Sequence, residues 1–248
     1  MSKTNQPKFK IYSKLGLRLT DHPKIFLKKL GSKKWQSLYS NSKQPRKDTE
    51  YGAMLSAKQR LNLFYGQIKD KQFHTLYNNA KAYEGNQTIN FIKLLERRLD
   101  VVLFRAKIAP SFREIRQLIQ HGHVEVNNKV VKISSLILNK NDFFSFKATS
   151  LNFVKSKSSR YFSQIVNDNN VQAINWSLKS YNARKHNNSI LFVPNYIEFN
   201  SDLMLGKLVS LPTEDNICLP MNPKLTNIME YCKYKKNNCI FGNHLEFV

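Results

Sequence analysis

The sequence predicts an α+β protein: a helical N-terminal domain, an inserted module of two helices plus a small β-ribbon, and a basic N-terminal arm. Three observations predict it. Apolar residues recur at helical spacing from Met54 to Val102. A capped amphipathic helix follows Pro110. Alternating valines then flank an Asn127-Asn128 pair. The 248 residues, 41% of them hydrophobic, suffice for one or two domains with a core and argue against a disordered chain.

Residues 1–50 form the arm: they are basic, and Pro7, Pro23 and Pro45 interrupt them. Met54, Ala57, Leu61, Phe64 and Ile68 then mark a first helix, weakened near its end by Gly66. Phe73, Leu76, Tyr77 and Ala80 mark a second, closed near Gly85. A third runs from about Thr88, with Ile92, Leu95, Leu99 and Val102 on one face. Such stripes are usually core. Lys58, Arg60, Lys69, Lys71, Arg97 and Arg105 lie opposite them and carry the charge.

Ser111, followed three residues later by Glu114, has the spacing of a capping box, in which each side chain bonds the other residue's amide. The helix it opens should reach about Gln120, with Gly122 supplying the left-handed stop. Its faces separate. Phe112, Ile115, Leu118 and Ile119 fall on one side, and Arg113, Arg116, Gln117 and Gln120 on the other. Two guanidiniums and two amides with no acid among them match phosphate oxygens better than an ordinary solvated face does.

Val124 and Val126 alternate with Glu125, so this strand has one apolar face. Asn127-Asn128 suits a tight turn, because asparagine tolerates positive φ. Val131 and Ile133 are expected to return the apolar face. A turn at Asn139–Asp142 and a short strand in Phe143–Phe146 follow. From Thr149 to Asn188 the signal is weak, with a helix between Ala173 and Tyr181. Ile190–Val193 and Tyr196–Phe199 read as short strands, and the segment after Cys232 as a tail.

Forty basic residues against seventeen acidic ones give a net charge of +23. That much self-repulsion is relieved by a polyanion, and each phosphate contact gains affinity through counterion release. A membrane partner fits poorly: no apolar run reaches the roughly 18 residues of a span, and no long helix has one basic and one apolar face. The three cysteines, Cys218, Cys232 and Cys239, form no C-x-x-C pair, so neither a disulfide framework nor a zinc site is expected. His121 and His123 lack further ligands at workable spacing, so no metal is assigned to them. They are expected to close the helix, to touch a ligand, or both. No nucleophile or acid–base constellation stands out, and no cofactor is expected.

The stretch Arg97–Ser135, "RRLDVVLFRAKIAPSFREIRQLIQHGHVEVNNKVVKISS", resembles the RNA-binding module named after small-subunit ribosomal protein four. That module also occurs in pseudouridine synthases, tyrosyl-tRNA synthetases and heat-shock proteins, so the flanks decide among them. Tyr51–Gly66, "YGAMLSAKQRLNLFYG", resembles the signature of the ribosomal protein family itself. "PNYIEFN" near Pro194 and "LPMN" near Pro220 resemble its C-terminal segment, and "FKIYSKLG" its organellar versions. The chain departs from the family at Lys107 and Ile108, where glycine and phenylalanine are usual, at Phe112 in place of arginine, and at Asn128 in place of glycine. It also lacks the N-terminal cysteine cluster of many bacterial relatives.

The resemblance implies a structural, non-enzymatic component of the small ribosomal subunit. It would bind the 5′ domain of small-subunit rRNA, nucleate assembly and support translational accuracy. Its neighbours would be other small-subunit proteins, with messenger RNA nearby and no membrane. An RNA-modifying enzyme of pseudouridine-synthase type, carrying the same module, is the alternative. The implied rRNA contacts are Lys58, Arg60, Arg97, Arg98, Arg105, Ser111, Arg113, Arg116, Gln117, Gln120, His121, His123, Asn127, Asn128 and Lys129. The implied division is an arm at 1–50, a helical domain at 51–96, the module at 97–157, a C-terminal segment at 158–231 packing back on the helices, and a tail at 232–248. Lysine outnumbers arginine roughly three to one and asparagine is abundant. The first twenty residues contain one arginine and resemble mature family sequence. A mitochondrial ribosome is therefore expected, ahead of a plastid or bacterial one.

Overall fold

The computed structural model describes residues 49–109, 111–167, 193–213, 216 and 225–242. The expected arm up to residue 48, the helix at 173–181, residues 190–192 of the first late strand and the Pro220 segment lie outside these. The chain divides into two units, one drawn from Met1–Ile68 and Asn222–Val248, the other from Lys69–Met221.

In the first unit, helix α1 (Glu50–Phe64) is capped by Thr49, whose Oγ1 accepts the Gly52 amide at 3.2 Å. Ala57, Leu61 and Phe64 are buried, as the spacing predicts, and Gly66 follows the helix at φ 73°. The last helix of the fold, Leu225–Gly242, packs against α1 through buried Ile228, Met229, Tyr231 and Cys232. Residues 233–242, expected to be tail, are therefore helix. No proline or glycine interrupts them before Gly242, and the lysine and asparagine run had masked that continuity.

The second unit opens with α2 (Asp70–Lys81) and α3 (Gln87–Glu96). Phe73, Leu76, Tyr77 and Ala80 are buried, and Phe91 meets Phe73 edge to face at 5.0 Å. Asn86 caps α3 by accepting the Thr88 amide. The single third helix expected through Val102 is two: α3 stops, and α4 (Leu99–Arg105) starts after an extended Arg98 at ψ 137°. The break is set from elsewhere in the chain. The amides of Leu99 and Asp100, which no helical turn can satisfy, donate to Leu136 and Ser134 carbonyls at 2.8 and 3.2 Å. Arg98 also bridges Ile137.

Next come α5 (Phe112–Gln120), strands β1 (Val124–Val126), β2 (Lys129–Val130) and β3 (Phe143–Phe146), and a 3-10 turn over Ala148–Ser150. Helix α6 (Leu151–Asn167) follows, then β4 (Ile197–Asn200) and β5 (Leu205–Leu208); the closing helix of the first unit is α7. The strands form one antiparallel sheet in the order β2-β1-β3-β5-β4. The ribbon is thus the edge of a five-stranded sheet. Its inner face, with Val124, Phe144, Phe146, Ile197 and Leu208, shares one core with α4, α5 and α6 through Val102, Ile115, Ile119 and Val154. Gly206 is required there: a Cβ would fall inside contact distance of the Phe144 ring.

Two expectations are corrected. Of the expected apolar pair, Val131 packs half-buried against the core, whereas Ile133 is 63% exposed; Val130, at 48%, also faces outward. The Asn127-Asn128 turn, at φ 51° and 63°, fixes a register that sets Val130 opposite the outward-facing Glu125. The region of weak signal contains α6. Its buried stripe includes Val154 and Ser158, and a serine in a core position hides helical periodicity.

Candidate nucleic-acid interface

Helix α5 is held as its sequence dictates. Ser111 Oγ accepts the Glu114 amide at 3.4 Å. The reciprocal half of the capping box is replaced: the Glu114 carboxylate accepts from Lys157 Nζ of α6 at 2.9 Å. Phe112, Ile115, Leu118 and Ile119 are buried, while Arg113, Gln117 and Gln120 stand exposed on the opposite side. Gly122, at φ 73°, closes the helix; its amide and that of His123 return to the carbonyls of Ile119 and Leu118 at 2.9 and 3.1 Å. This turn leaves His121 exposed and His123 half-buried. The Lys147 amide donates to the His123 carbonyl at 3.0 Å and ties the lip to the end of β3. A Cβ on Gly122 would sit 3.4 Å from Val130 and 3.6 Å from Lys132, so the second ribbon strand lies beside the turn. Exposed Asn128, Lys129 and Lys132 therefore continue the surface begun by α5.

Several residues assigned to contacts from sequence do other work. Arg98 and Asp100 are buried, and both guanidinium nitrogens of the fork bond the carboxylate at 3.0 Å. Arg116 joins the same carboxylate at 2.9 and 2.8 Å, and its side chain is 22% exposed. The α5 face that seems free of acids in sequence thus has one beneath it. Arg105 is buried on Glu96, with nitrogens at 3.1 and 2.7 Å from the two carboxylate oxygens. Lys58 is buried, its Nζ 5.4 Å from the Tyr231 ring centroid. Lys58, Arg98 and Arg105 are therefore corrected from surface cations to internal ones. Arg97 pins the loop after β2, donating to the Leu138 carbonyl at 2.8 Å and to Asn139 Oδ1 at 2.6 Å. The Asn127 amide braces the ribbon: Nδ2 donates to Asp142 and Oδ1 accepts the Phe143 amide. Arg60 is exposed on α1.

The sequence reading missed Phe153 and Lys157. They stand one helical turn apart on α6, and Lys157 Nζ lies 4.7 Å from the Phe153 ring centroid. With Glu114, Gln117, Leu118, His121 and His123 they line a pocket of about 210 Å³. Their i, i+4 spacing is readable in sequence; their meeting with the lip, thirty residues earlier in the chain, is not. The two imidazoles are 6.1 Å apart. Among the described residues no group of three or more His, Cys, Asp or Glu is arranged to hold a metal ion. No described helix is long and apolar enough to cross a membrane.

Comparison with known proteins agrees with this geometry. Residues 97–144 match the S4 domain model, a stretch that holds α4, α5, β1, β2 and the start of β3. Residues 3–96 match the model of the ribosomal protein S4/S9 N-terminal domain. Similar relatives include small ribosomal subunit protein uS4 of Rickettsia bellii, 33% identical over 74% of this chain and 77% of its own. The uS4 protein of a Thermoanaerobacter species is 35% identical over 75% of this chain and 76% of its own. The protein uS4m of Reclinomonas americana is 30% identical over 74% of this chain and 66% of its own.

Proposed function

Because the chain belongs to the family of small ribosomal subunit protein uS4, we propose that it is a structural component of the small ribosomal subunit. It binds the 5′ domain of small-subunit rRNA, helps to nucleate assembly there and supports translational accuracy. The observation that carries this reading is the continuous polar and basic surface from Arg113, Gln117 and Gln120 through His121 to Asn128, Lys129 and Lys132. It lies on a rigid platform of helix, glycine turn and sheet edge within the matched S4 domain.

The chemistry suits folded RNA. A-form helices and their junctions present phosphates and 2′-hydroxyls, with few readable base edges. Arginine and lysine engage the phosphates, and glutamine, asparagine and histidine can donate to or accept from hydroxyls. Ser111 sets the angle of α5 and does not itself need to touch RNA. Arg116 has two nitrogens on Asp100 and is a positioned, partly exposed cation at the base of the surface. Arg60 on α1 is a separate contact candidate. The role is structural rather than catalytic. The partners are small-subunit rRNA and neighbouring small-subunit proteins, with messenger RNA close by.

The ribosome is placed in a mitochondrion. The likeness to uS4m of Reclinomonas americana and the lysine- and asparagine-rich composition support that compartment, and the bacterial relatives make a bacterial ribosome the alternative. Sedimentation tests the whole reading. The tagged full chain should run with the small subunit at one copy per particle and stay there through a high-salt gradient. Substoichiometric association, with modification of free RNA, would favour an RNA-modifying enzyme.

A further inference from the structure

We propose that the pocket between α5, the His121–His123 turn and α6 receives one unpaired nucleotide of the bound RNA, its base against Phe153 and its phosphate on Lys157. This rests on the rRNA-binding reading above and adds to it a contact outside the matched S4 domain, which ends at residue 144.

Phe153 is 50% exposed at the pocket rim, with the His123 ring 6.3 Å away. A phosphate gains nothing from an aromatic face, whereas every base has a face to stack on it. A duplex keeps its bases stacked inside and offers only its backbone, so the ring fits a nucleotide that has left the helix. The rest of the lining fits the same ligand. Gln117 carries both donors and an acceptor for a base edge, and His121 and His123 bring ring nitrogens. Five of the seven lining residues, all but Leu118 and Phe153, are polar or charged, which suits a nucleotide better than an apolar protein segment.

Lys157 is the movable part. Its Nζ rests 2.9 Å from Glu114 and 4.7 Å from the Phe153 ring, and both members of the ion pair are partly exposed, 36% and 26%. Such a pair is weak and easily exchanged for a phosphate, and the same movement uncovers the ring. Gln117 and His121 belong to both the pocket and the α5 surface, so a strand following α5 passes the pocket mouth.

The test uses the full chain and a transcript of the small-subunit rRNA 5′ domain. Phe153→Leu should weaken binding about tenfold, the effect of losing one stacked base, with the salt slope unchanged because no charge is removed. Phe153→Trp should bind like the unsubstituted protein. Ultraviolet crosslinking should join an unpaired nucleotide to the peptide carrying Phe153. Phe153→Leu binding within twofold of the unsubstituted protein, with a native circular dichroism spectrum, overturns the proposal. So does Phe153→Leu binding rRNA normally while losing a neighbouring protein from the assembled subunit, since the occupant would then be protein. If the unsubstituted chain itself shows no salt-dependent binding, it is the rRNA-binding reading that fails.

Discussion

Asp100→Asn is expected to destabilise the protein by about 3–5 kcal/mol, the usual cost of breaking a buried ion pair by removing one partner. The carboxylate is fully buried and receives two forks, Arg98 with both contacts at 3.0 Å and Arg116 at 2.9 and 2.8 Å. One negative charge thus holds two positive ones where α4 begins. Asparagine keeps the shape but turns an NH2 group toward donors and removes the negative charge that the two guanidiniums share. Arg116 can relax toward solvent; Arg98, 3% exposed, cannot. In urea unfolding the free energy of unfolding should fall by the full amount, with a lower midpoint, and the melting temperature should fall by about 10 °C. A double-mutant cycle separates the pair from the site. Arg98→Met should cost much less in an Asp100→Leu background than alone, because two apolar groups restore what one unpaired charge destroys. Equal costs in both backgrounds would show that the pair does not act as a unit.

Glu96→Ala should have an effect of the same size, again about 3–5 kcal/mol, for a different reason of architecture. Glu96 on α3 accepts both Arg105 nitrogens from α4 and the Tyr196 hydroxyl, which donates at 2.8 Å from just before β4. A single carboxylate therefore joins two helices to a segment 100 residues away. Removal leaves a buried guanidinium and loosens the tie to the β4 hairpin. Tyr196→Phe removes only the hydroxyl's bond to a charged group and should cost less, about 1.5–3 kcal/mol. The order Glu96→Ala above Tyr196→Phe, read from urea midpoints, is the expected outcome. The reverse order would mean that the hydroxyl and not the ion pair holds the junction.

What could be read in advance was local. The α5 helix, its serine cap, its glycine stop and the Asn127-Asn128 turn depend on residues within four positions of one another, and spacing and φ tolerance suffice to find them. Burial of charge was not local. Nothing near Arg116 in sequence announces Asp100, sixteen residues earlier and on another helix, nor does Glu96 announce Tyr196. Reading cations opposite an apolar stripe as surface groups therefore misplaced Lys58 and Arg105. The break between α3 and α4 was hidden for the same reason, since the distant loop carbonyls of Ser134 and Leu136 impose it. Serine in the α6 stripe concealed that helix, and with it Phe153 and Lys157.

Departures from the family pattern are explained unevenly by the backbone. Lys107 stands at φ 61° where the resembling family carries glycine, so the chain keeps a left-handed turn at a position where a side chain is strained. Lys107 is nonetheless buried, with its Nζ 5.8 Å from the Phe104 ring centroid. Asn128 at φ 63° replaces another glycine with the residue best able to bear that conformation.

The central claim is that the α5 face and the adjoining ribbon grip rRNA through its phosphates. Arg116 is unsuitable for testing it, because Asp100 anchors it and its loss disturbs the core. Arg113, Lys129 and Lys132 are exposed, so replacing all three by glutamine should leave folding within a few tenths of a kcal/mol per site. The decisive measurement is the slope of log affinity against log salt for the 5′-domain transcript, taken for the unsubstituted chain and for the triple variant. Each lost phosphate contact lowers the slope by roughly 0.7–0.9, so a reduction of about 2 to 3 is predicted. A variant that folds normally and keeps the unsubstituted slope would contradict the account, because the RNA would then be held by some other face.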